Sequence, residues 1–300
     1  RPEPRGGHTA VQVDSSIVVF GGHSYAGDGK FEYYNDTHVF DVETSTWHLV
    51  KCSGEVPEPR YGHSVALVGN RMFMFGGKGE ATIFKDLYFL DLIEWTWVPV
   101  SSTVTGPCPR LGHASTLVGR KIVIHGGWDG KRQCMDDLWV FDTDSFTWMQ
   151  PKTAGAGPSA RYGHSLHLLE DGRILCFGGM SIPDNGIPEY HRDLRQLHTE
   201  TMAWSKPRVD GEVPPSGRFG HTLCAFGSQL VLFGGWGLGG NQTSAENPRA
   251  GAESIMMLDV ESMTWWTPLP PRKTVPHRYG HTVCLIGADL FVFGGWYGKQ

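Results

Sequence analysis

A four-residue motif, Arg-x-Gly-His, occurs six times along the 300 residues of the chain. Each copy is followed by an apolar run, a short polar turn and a second apolar run that ends in Gly-Gly. Self-similarity at a period of about 50 residues is typical of folds that stack one supersecondary unit on the next. The repeat therefore constrains the fold more than any other feature. The six motifs begin at Arg5, Arg60, Arg110, Arg161, Arg218 and Arg278, and the Gly-Gly pairs begin at Gly21, Gly76, Gly126, Gly178, Gly234 and Gly294.

The apolar runs predict β-strands. Residues 17–20, 72–75 and 290–293 are short, apolar and β-prone. We name the four predicted strands of a repeat A, after the tetrad; B, which ends in Gly-Gly; C, the third run; and D, which begins at a tryptophan. Four strands in a unit of this length predict one blade of a β-propeller. The third run ends at Asp41, Asp91, Asp142, His198 and Asp259, and the tryptophans, six residues later, are Trp47, Trp97, Trp148, Trp204 and Trp265.

The composition fits many short strands and argues against several functional classes. Gly (40) and Pro (19) supply turns, and only 19% of residues are charged. A net charge of −5 without a basic run argues against a nucleic-acid surface. No apolar stretch has the length that membrane insertion requires. The six cysteines include no Cys-x-x-Cys pair, which favours a reducing compartment, the cytoplasm or alternatively the nucleus.

The repeated residues themselves are interpreted as scaffold. Gly-Gly allows the chain to bend, or another backbone to come close, at the end of strand B. The tryptophan supplies the large apolar area that two facing sheets need between them. We expect scaffold hydrogen bonds for the tetrad histidines rather than a metal cage, and we expect no cofactor. The tetrad arginines are expected to pair with carboxylates just before strand C, at Asp36, Asp86, Asp137 and Asp193.

The pattern resembles the kelch family over essentially the whole chain. The Gly-x-x-Pro segments at 54–57 and 211–214, each before a tetrad, resemble kelch proteins of the host-cell-factor, Tea1-like and Rab-effector type more than the BTB-kelch adaptors. The resemblance implies an all-β fold, a six-bladed kelch β-propeller with four-stranded antiparallel blades. Residues 1–300 are expected to form a single domain, with the sixth blade lacking its C and D strands. The expected repeats are about 5–59, 60–109, 110–160, 161–217, 218–277 and, in part, 278–300.

The fourth repeat departs from the pattern and carries the one metal hypothesis. Its third run contains Arg195, Gln196 and His198 where other repeats have apolar residues and Asp. Just before it, alternate residues of a strand would share a face and could converge on a metal ion. This group loosely resembles the iron-binding residues of plant specifier proteins, which are also kelch propellers, although the spacing to His198 differs. The weak candidate ligands are Glu189, His191 and Asp193.

Two rings of residues mark the predicted binding face. In a propeller the D–A and B–C loops emerge on one face, around the mouth of the central channel. Resemblance to kelch adaptors that grip a peptide there implies contacts from the residue after Gly-Gly and from the x of the tetrad. Aromatic residues are common in both sets and are enriched at interface hot spots. The predicted partner-binding residues are His23, Lys78, Trp128, Met180, Trp236 and Trp296 after Gly-Gly, and Tyr61, Leu111, Tyr162, Phe219 and Tyr279 at x.

Loop lengths point to the same face. The tetrad arginine precedes the first glycine of the pair by 16 residues in five repeats and by 17 in the fourth, whereas the B–C loops vary widely. Variable loops on a constant scaffold are where function is usually carried. The long first, fourth and fifth B–C loops, 23–36, 180–193 and 236–254, are expected to wall the site, and the first and fourth add the acidic residues Asp28, Glu32, Asp184 and Glu189.

The sequence therefore predicts a protein–protein interaction module rather than an enzyme. Its ligand is expected to be a peptide or partner protein with an aromatic, apolar or basic anchor, and the propeller itself is expected to be monomeric. Two alternatives remain open at this point: a metal (iron)-dependent enzyme similar to the specifier proteins, and a cytoskeletal or actin-associated scaffold. Fold alone does not separate these functions.

Overall fold

The computed structural model of the chain describes residues 1–212, 214, 216–237, 255–269 and 276–297. Within these ranges the chain forms 29 β-strands and no α-helix. None of the described residues forms a helix long and apolar enough to cross a membrane. The expected all-β architecture is confirmed.

Five sheets contain four antiparallel strands each, in the order A–B–C–D that the repeat predicts. The first two are β1 (Thr9–Val13), β2 (Ser16–Phe20), β5 (Thr37–Asp41), β6 (Thr46–Val50) and β8 (Ser64–Val68), β9 (Arg71–Phe75), β10 (Leu87–Asp91), β11 (Thr96–Pro99). The third is β12 (Ala114–Val118), β13 (Lys121–Trp128), β14 (Cys134–Asp142), β15 (Thr147–Met149). The last two are β17 (Ser165–Leu168), β18 (Arg173–Phe177), β21 (Leu194–His198), β22 (Ala203–Ser205) and β24 (Thr222–Phe226), β25 (Gln229–Phe233), β26 (Ile255–Asp259), β27 (Thr264–Trp266).

Three blades carry a fifth strand, so the prediction of four strands per blade is incomplete for these three. The D–A linker that enters the second, fourth or fifth blade contributes two residues, which pair in parallel with the outermost strand of that blade. Sequence reasoning missed these strands because two residues carry no periodicity of their own. They are β7 (Ser53–Gly54), β16 (Ala154–Gly155) and β23 (Asp210–Gly211).

The sixth repeat forms only a two-stranded sheet, β28 (Tyr279–Ile286) and β29 (Asp289–Trp296). The described residues thus contain five complete blades rather than six, and the sixth sheet consists of strands A and B alone, as expected. Strand β28 lies between β24 of the fifth blade and β1 of the first. The six innermost strands therefore follow one another around a closed ring.

The core lies between neighbouring blades. Each strand-D tryptophan packs against the aromatic or imidazole ring that precedes Gly-Gly in the blade before it. The Trp97 indole, 1% exposed, lies with its ring centroid 4.7 Å from that of Phe20. The same contact closes the ring, since Trp47 of the first blade lies 4.8 Å from Phe293 of the sixth repeat. The predicted role of tryptophan as filler between sheets is confirmed.

Six backbone hydrogen bonds link the tetrad glycines from blade to blade around the axis. The Gly62 amide donates to the Gly7 carbonyl over 2.8 Å, and the Gly7 amide donates to the Gly280 carbonyl over 2.8 Å. Each of these glycines has a positive φ between 63° and 66°. This left-handed conformation suits glycine, which has no Cβ to clash. The glycine of the tetrad therefore forms the inner rim of the propeller and places the residue before it beside this rim.

Candidate functional site

Five of the six tetrad arginines are buried beneath the site, and Arg278 is partly exposed. Arg60 and Arg110 are fully buried, and each guanidinium binds one aspartate through two nitrogens. Arg110 Nη1 also donates to the Gly126 carbonyl at 2.9 Å. The expected arginine–carboxylate pairs are confirmed in four repeats, namely Arg5–Asp36, Arg60–Asp86, Arg110–Asp137 and Arg161–Asp193. These arginines are structural, and their guanidinium groups already have anionic partners.

The tetrad histidines join neighbouring blades through hydroxyl groups. His113 Nε2 lies 2.7 Å from the Ser64 hydroxyl, which follows the tetrad of the preceding blade. The same contact links His63 with Thr9 at 2.8 Å. Equivalent pairs are His8–Thr282, His221–Ser165 and His281–Thr222. The expectation of scaffold hydrogen bonds is confirmed for these five histidines.

The junction between the third and fourth blades lacks this hydroxyl contact. The residue after the third tetrad is Ala114, which has no hydroxyl, and His164 pairs instead with His125, whose Nδ1 lies 3.1 Å from His164 Nε2. His125 occupies the position that phenylalanine holds in the other five repeats. Sequence reasoning missed this exchange, although an alignment of the six repeats against one another contains it.

The predicted partner-binding residues form six cross-strand pairs at the channel mouth. In each repeat the x residue of the tetrad and the residue after Gly-Gly form an antiparallel bridge. The Tyr61 amide donates to the Lys78 carbonyl over 2.9 Å, and the Lys78 amide donates back over 2.8 Å. The pairs are Gly6–His23, Tyr61–Lys78, Leu111–Trp128, Tyr162–Met180, Phe219–Trp236 and Tyr279–Trp296.

The rings of these pairs touch one another across blade boundaries. His23 lies between Tyr61 and Trp296, with ring centroids 4.1 Å and 5.1 Å away. Trp128 stacks on Tyr162 at 5.5 Å and an interplanar angle of 20°. We call this set the aromatic collar: His23, Tyr61, Trp128, Tyr162, Phe219, Trp236, Tyr279 and Trp296, each of them partly exposed.

The collar consists of two arcs. One arc runs Trp296–His23–Tyr61, and the other runs Trp128–Tyr162–Phe219–Tyr279–Trp236 through ring contacts of 5.3–6.0 Å. Gly6 stands where the other tetrads carry a side chain because a Cβ there would overlap the Trp296 indole. The Trp296 indole of the sixth repeat thus occupies the space that the side chain of the first tetrad's x residue would take.

Three predicted residues differ from the rest. Leu111 and Met180 are only 5% and 7% exposed, so they support the collar from below rather than offering surface to a ligand. Lys78 is partly exposed, and its Nζ lies 5.9 Å from the ring centroids of both Tyr33 and Tyr61. It is therefore the one cation within the predicted set.

Additional aromatic residues come from the B–C loops, for which the sequence analysis considered only length and acidic residues. The first loop folds as the hairpin β3 (His23–Gly27) and β4 (Lys30–Tyr33), and the fourth as β19 (Met180–Ser181) and β20 (Glu189–Tyr190). The exposed Phe31 lies 6.4 Å from Trp296, and Tyr190 lies 6.0 Å from Phe219. The alternation of aromatic residues in 23–33 is the signal that could have identified the first hairpin.

The four acidic residues predicted on these two loops are exposed, at Asp28, Glu32, Asp184 and Glu189. The fifth B–C loop, predicted at 236–254, lies outside the described residues from 238 onward. Two of the three predicted walls can therefore be described, and each is a hairpin that rises beside the collar.

Burial keeps the collar uncharged, and Lys78 beside it supplies the one positive charge of the predicted set. Desolvation lowers the pKa of His23 to about 4, against a smaller opposing effect of its bond to the Gly6 carbonyl. Desolvation raises the pKa of Tyr61 to about 12 and also raises that of Tyr162 and Tyr279. At neutral pH the collar therefore offers neutral rings and hydroxyl groups.

The weak metal candidates of the fourth loop do not converge within the described part of the chain. The Asp193 carboxylate binds Arg161 and Arg195, and His191 Nε2 lies 2.9 Å from the Ser181 hydroxyl. Glu189 is exposed on β20. His191, Asp193 and Arg195 line a polar cleft of about 470 Å³ between the third and fourth blades. Among the described residues these three candidates do not form a ligand group, and His191 and Asp193 are already bound to other groups of the protein.

The match to a family model covers most of this architecture. Residues 7–235 match the model described as the KLHDC2/KLHL20/DRC7 Kelch-repeats domain. The matched range contains four complete blades and the first two strands of the fifth.

Relatives among characterised proteins align with nearly the whole chain. Host cell factor of Drosophila melanogaster is 33% identical over 315 residues, covering 99% of this chain and 16% of the relative. Acyl-CoA-binding domain-containing protein 4 of Arabidopsis thaliana is 28% identical and is covered to 35% of its length. Host cell factor 2 of Homo sapiens is 28% identical over 98% of this chain and 31% of the relative. The chain spans about a third or less of these relatives. Together with the family match, the resemblance to the host-cell-factor type is confirmed, and the chain belongs to the kelch-repeat family of β-propellers.

Proposed function

We propose that this domain is a protein-interaction module that binds a peptide or partner protein on the aromatic collar and does no catalysis itself. The collar is the observation that carries the proposal. Eight neighbouring, partly exposed rings surround the channel mouth on a rigid backbone ring. Tyr and Trp provide large contact area at low entropic cost and dominate the binding energy of many interfaces.

The chemistry of the collar indicates which anchor it accepts. Neutral aromatic faces attract apolar and aromatic side chains, and they also attract cations. The acidic residues of the two hairpins, among them Glu32 and Asp184, add a further attraction for a basic segment. We therefore propose a ligand segment with an aromatic, apolar or basic anchor.

The test combines peptide selection with paired substitutions. A displayed library of random peptides is selected against the domain, and the affinities of the selected peptides are measured for the wild type, Trp128→Ala and Trp236→Ala. Truncation of a central aromatic anchor costs about 2 kcal/mol or more, so we expect affinity to fall at least about 30-fold in either variant.

Trp266→Ala is the matched control, because Trp266 is 38% exposed but lies on the outer strand β27. It should leave affinity unchanged, and thermal melts should show that all three variants are folded. Peptides that bind Trp128→Ala, Trp236→Ala and the wild type equally would refute the proposal.

We further propose that residues 1–300 act as one monomeric domain and that β28 and β29 are the inner half of a sixth blade. The ring of glycine hydrogen bonds and the contact of Trp47 with Phe293 support this arrangement. We propose the cytoplasm as its location, with the nucleus as the alternative. All six cysteines are free thiols, which is consistent with a reducing compartment.

A further inference from the structure

Three departures from the repeat meet at one point between the third and fourth blades. Ala114 replaces the serine or threonine that follows the tetrad in the other repeats, and His125 replaces phenylalanine before Gly-Gly. Cys176 stands two residues before its own Gly-Gly pair, where the other repeats have Val19, Met74, Ile124, Leu232 and Val292. The loss of one hydroxyl is thus accompanied by the gain of an imidazole and a thiol.

The new side chains and His164 form a compact three-ligand group. One ligand atom from each of His125, His164 and Cys176 lies within 4.8 Å of the other two. The two imidazole nitrogens are 3.1 Å apart. An ion about 2.0 Å from each nitrogen would give an N–ion–N angle of about 100°, and a thiolate at about 2.3 Å would complete the set once the thiol moves toward the two nitrogens.

The orientation of the two imidazoles suits metal binding. His125 Nδ1 faces His164, and its Nε2 is buried without a well-formed hydrogen bond, although the Asp136 carbonyl lies nearby. A histidine that binds metal through one nitrogen usually donates its other N–H to a carbonyl of this kind. Ion binding would require the proton that now lies between the two imidazoles to move to the outward nitrogen of the ring that carries it, so that each ring keeps one outward N–H and both inward nitrogens bind the ion.

The surroundings restrict the kind of ion. His125 and Cys176 are each 0% exposed, and the core cluster around the thiol includes Leu166 and Trp204. A set of two imidazoles and a thiol with no carboxylate disfavours Mg²⁺ and Ca²⁺ and favours soft or borderline ions. The positive charge of Arg161 lies close enough to lower the pKa of both histidines, after the larger effect of burial.

A dry site beside a guanidinium disfavours any added net charge. One thiolate and two neutral imidazoles carry a charge of −1, which a monovalent cation balances and a divalent cation exceeds. We propose that His125, His164 and Cys176 form a buried site for monovalent copper that links the third and fourth blades. Binding breaks the S–H bond of Cys176, forms a copper–sulfur bond and releases one proton, with no change in oxidation state.

The test measures copper retained per chain. The protein is produced with Cys108→Ser, because Cys108 is the exposed thiol, in copper-supplemented medium and is purified without oxygen. Surface-bound copper is removed with an excess of a chromophoric Cu⁺ chelator. We expect about one copper ion per chain, with an X-ray absorption spectrum of two nitrogen ligands and one sulfur ligand.

Two variants remove the site by restoring residues that other repeats use, so both are expected to fold. Cys176→Val introduces the residue of the first and sixth repeats, and the double variant Ala114→Ser/His125→Phe introduces those of the second. Each should lower copper affinity at least about 100-fold, since loss of an outer-shell partner alone costs about 10- to 100-fold.

Cys284→Val is the matched control, because Cys284 is a buried cysteine outside the group, and it should retain the copper. Equal copper content in all four proteins, whether zero or one, would overturn the proposal. Retention of zinc in place of copper when both ions are supplied would overturn the assignment to a monovalent ion.

Discussion

Each tetrad arginine binds several groups at once. Arg60 pairs with Asp86, donates to the Gly76 carbonyl at 3.0 Å, and lies 3.8 Å over the ring of Phe84. The sequence predicts the carboxylate, since an aspartate lies at a fixed distance before the end of strand C. It does not predict the carbonyl or the ring, because both depend on how the B–C loop returns across the blade.

Asp137→Asn tests how much such an ion pair contributes to the free energy of unfolding. Arg110 is fully buried and would keep its charge without a carboxylate beside it, a situation that costs about 3 kcal/mol of unfolding free energy. Asp144→Asn is the matched control, because its pair with Arg120 is about 60% exposed on both sides and contributes less than about 1 kcal/mol. Urea unfolding measures both, and equal losses would contradict the structural role assigned to the tetrad arginine.

At the scale of elements, strands A to D follow from the alternation of apolar runs and turn residues, whereas the shortest elements do not. The strands β7, β16 and β23 exist because a glycine in each D–A linker approaches the outer strand of the next blade. Gly54, Gly155 and Gly211 have φ values of 76–82°, and a Cβ on any of them would overlap a tryptophan carbonyl. The Gly-x-x-Pro segments are visible in the sequence, but a contact with the following blade produces no local sequence pattern.

Gly155→Ala tests this edge contact. The substitution forces a Cβ into the Trp204 carbonyl and also strains a backbone with φ of 76°, so we expect a loss of about 2–3 kcal/mol of unfolding free energy. Gly119→Ala carries the backbone strain alone, at φ of 59° with open space around the added Cβ, and should cost about 1 kcal/mol. Equal losses would mean that β16 contributes nothing to the blade edge.

The whole molecule is closed by polar contacts as well as apolar ones. The tetrad glycines form one ring of contacts and the tetrad histidines form a second that joins every blade to its predecessor, and both rings pass through the sixth repeat. Repetition alone predicts that equivalent residues lie on rings. The shared pattern of the repeat does not predict the division of the collar into two arcs or the exchange at Ala114 and His125. Both features arise at positions where the repeats differ from one another.

The buried tetrad histidines make the stability of the folded protein depend on pH. Burial lowers the pKa of His8, His113, His221 and His281 to about 3, with a further lowering by the tetrad arginines. In the unfolded chain these groups take up protons near pH 6.5, whereas the folded protein does not. The contribution of these histidines to the free energy of unfolding is therefore fully present above pH 6.5, and it is lost as the pH falls from there toward 3.

The slope of this loss reports the number of buried histidines. Each contributes up to about 1.4 kcal/mol per pH unit, so these four together contribute about 5 kcal/mol per unit near pH 5, a large fraction of the stability of a typical domain. Urea midpoints measured between pH 7.5 and 4.5 should thus correspond to uptake of at least four protons on unfolding. His221→Gln should lower that number by one. An uptake of fewer than two protons would show that the tetrad histidines take up protons in the folded state, and it would contradict the pKa lowering described for them.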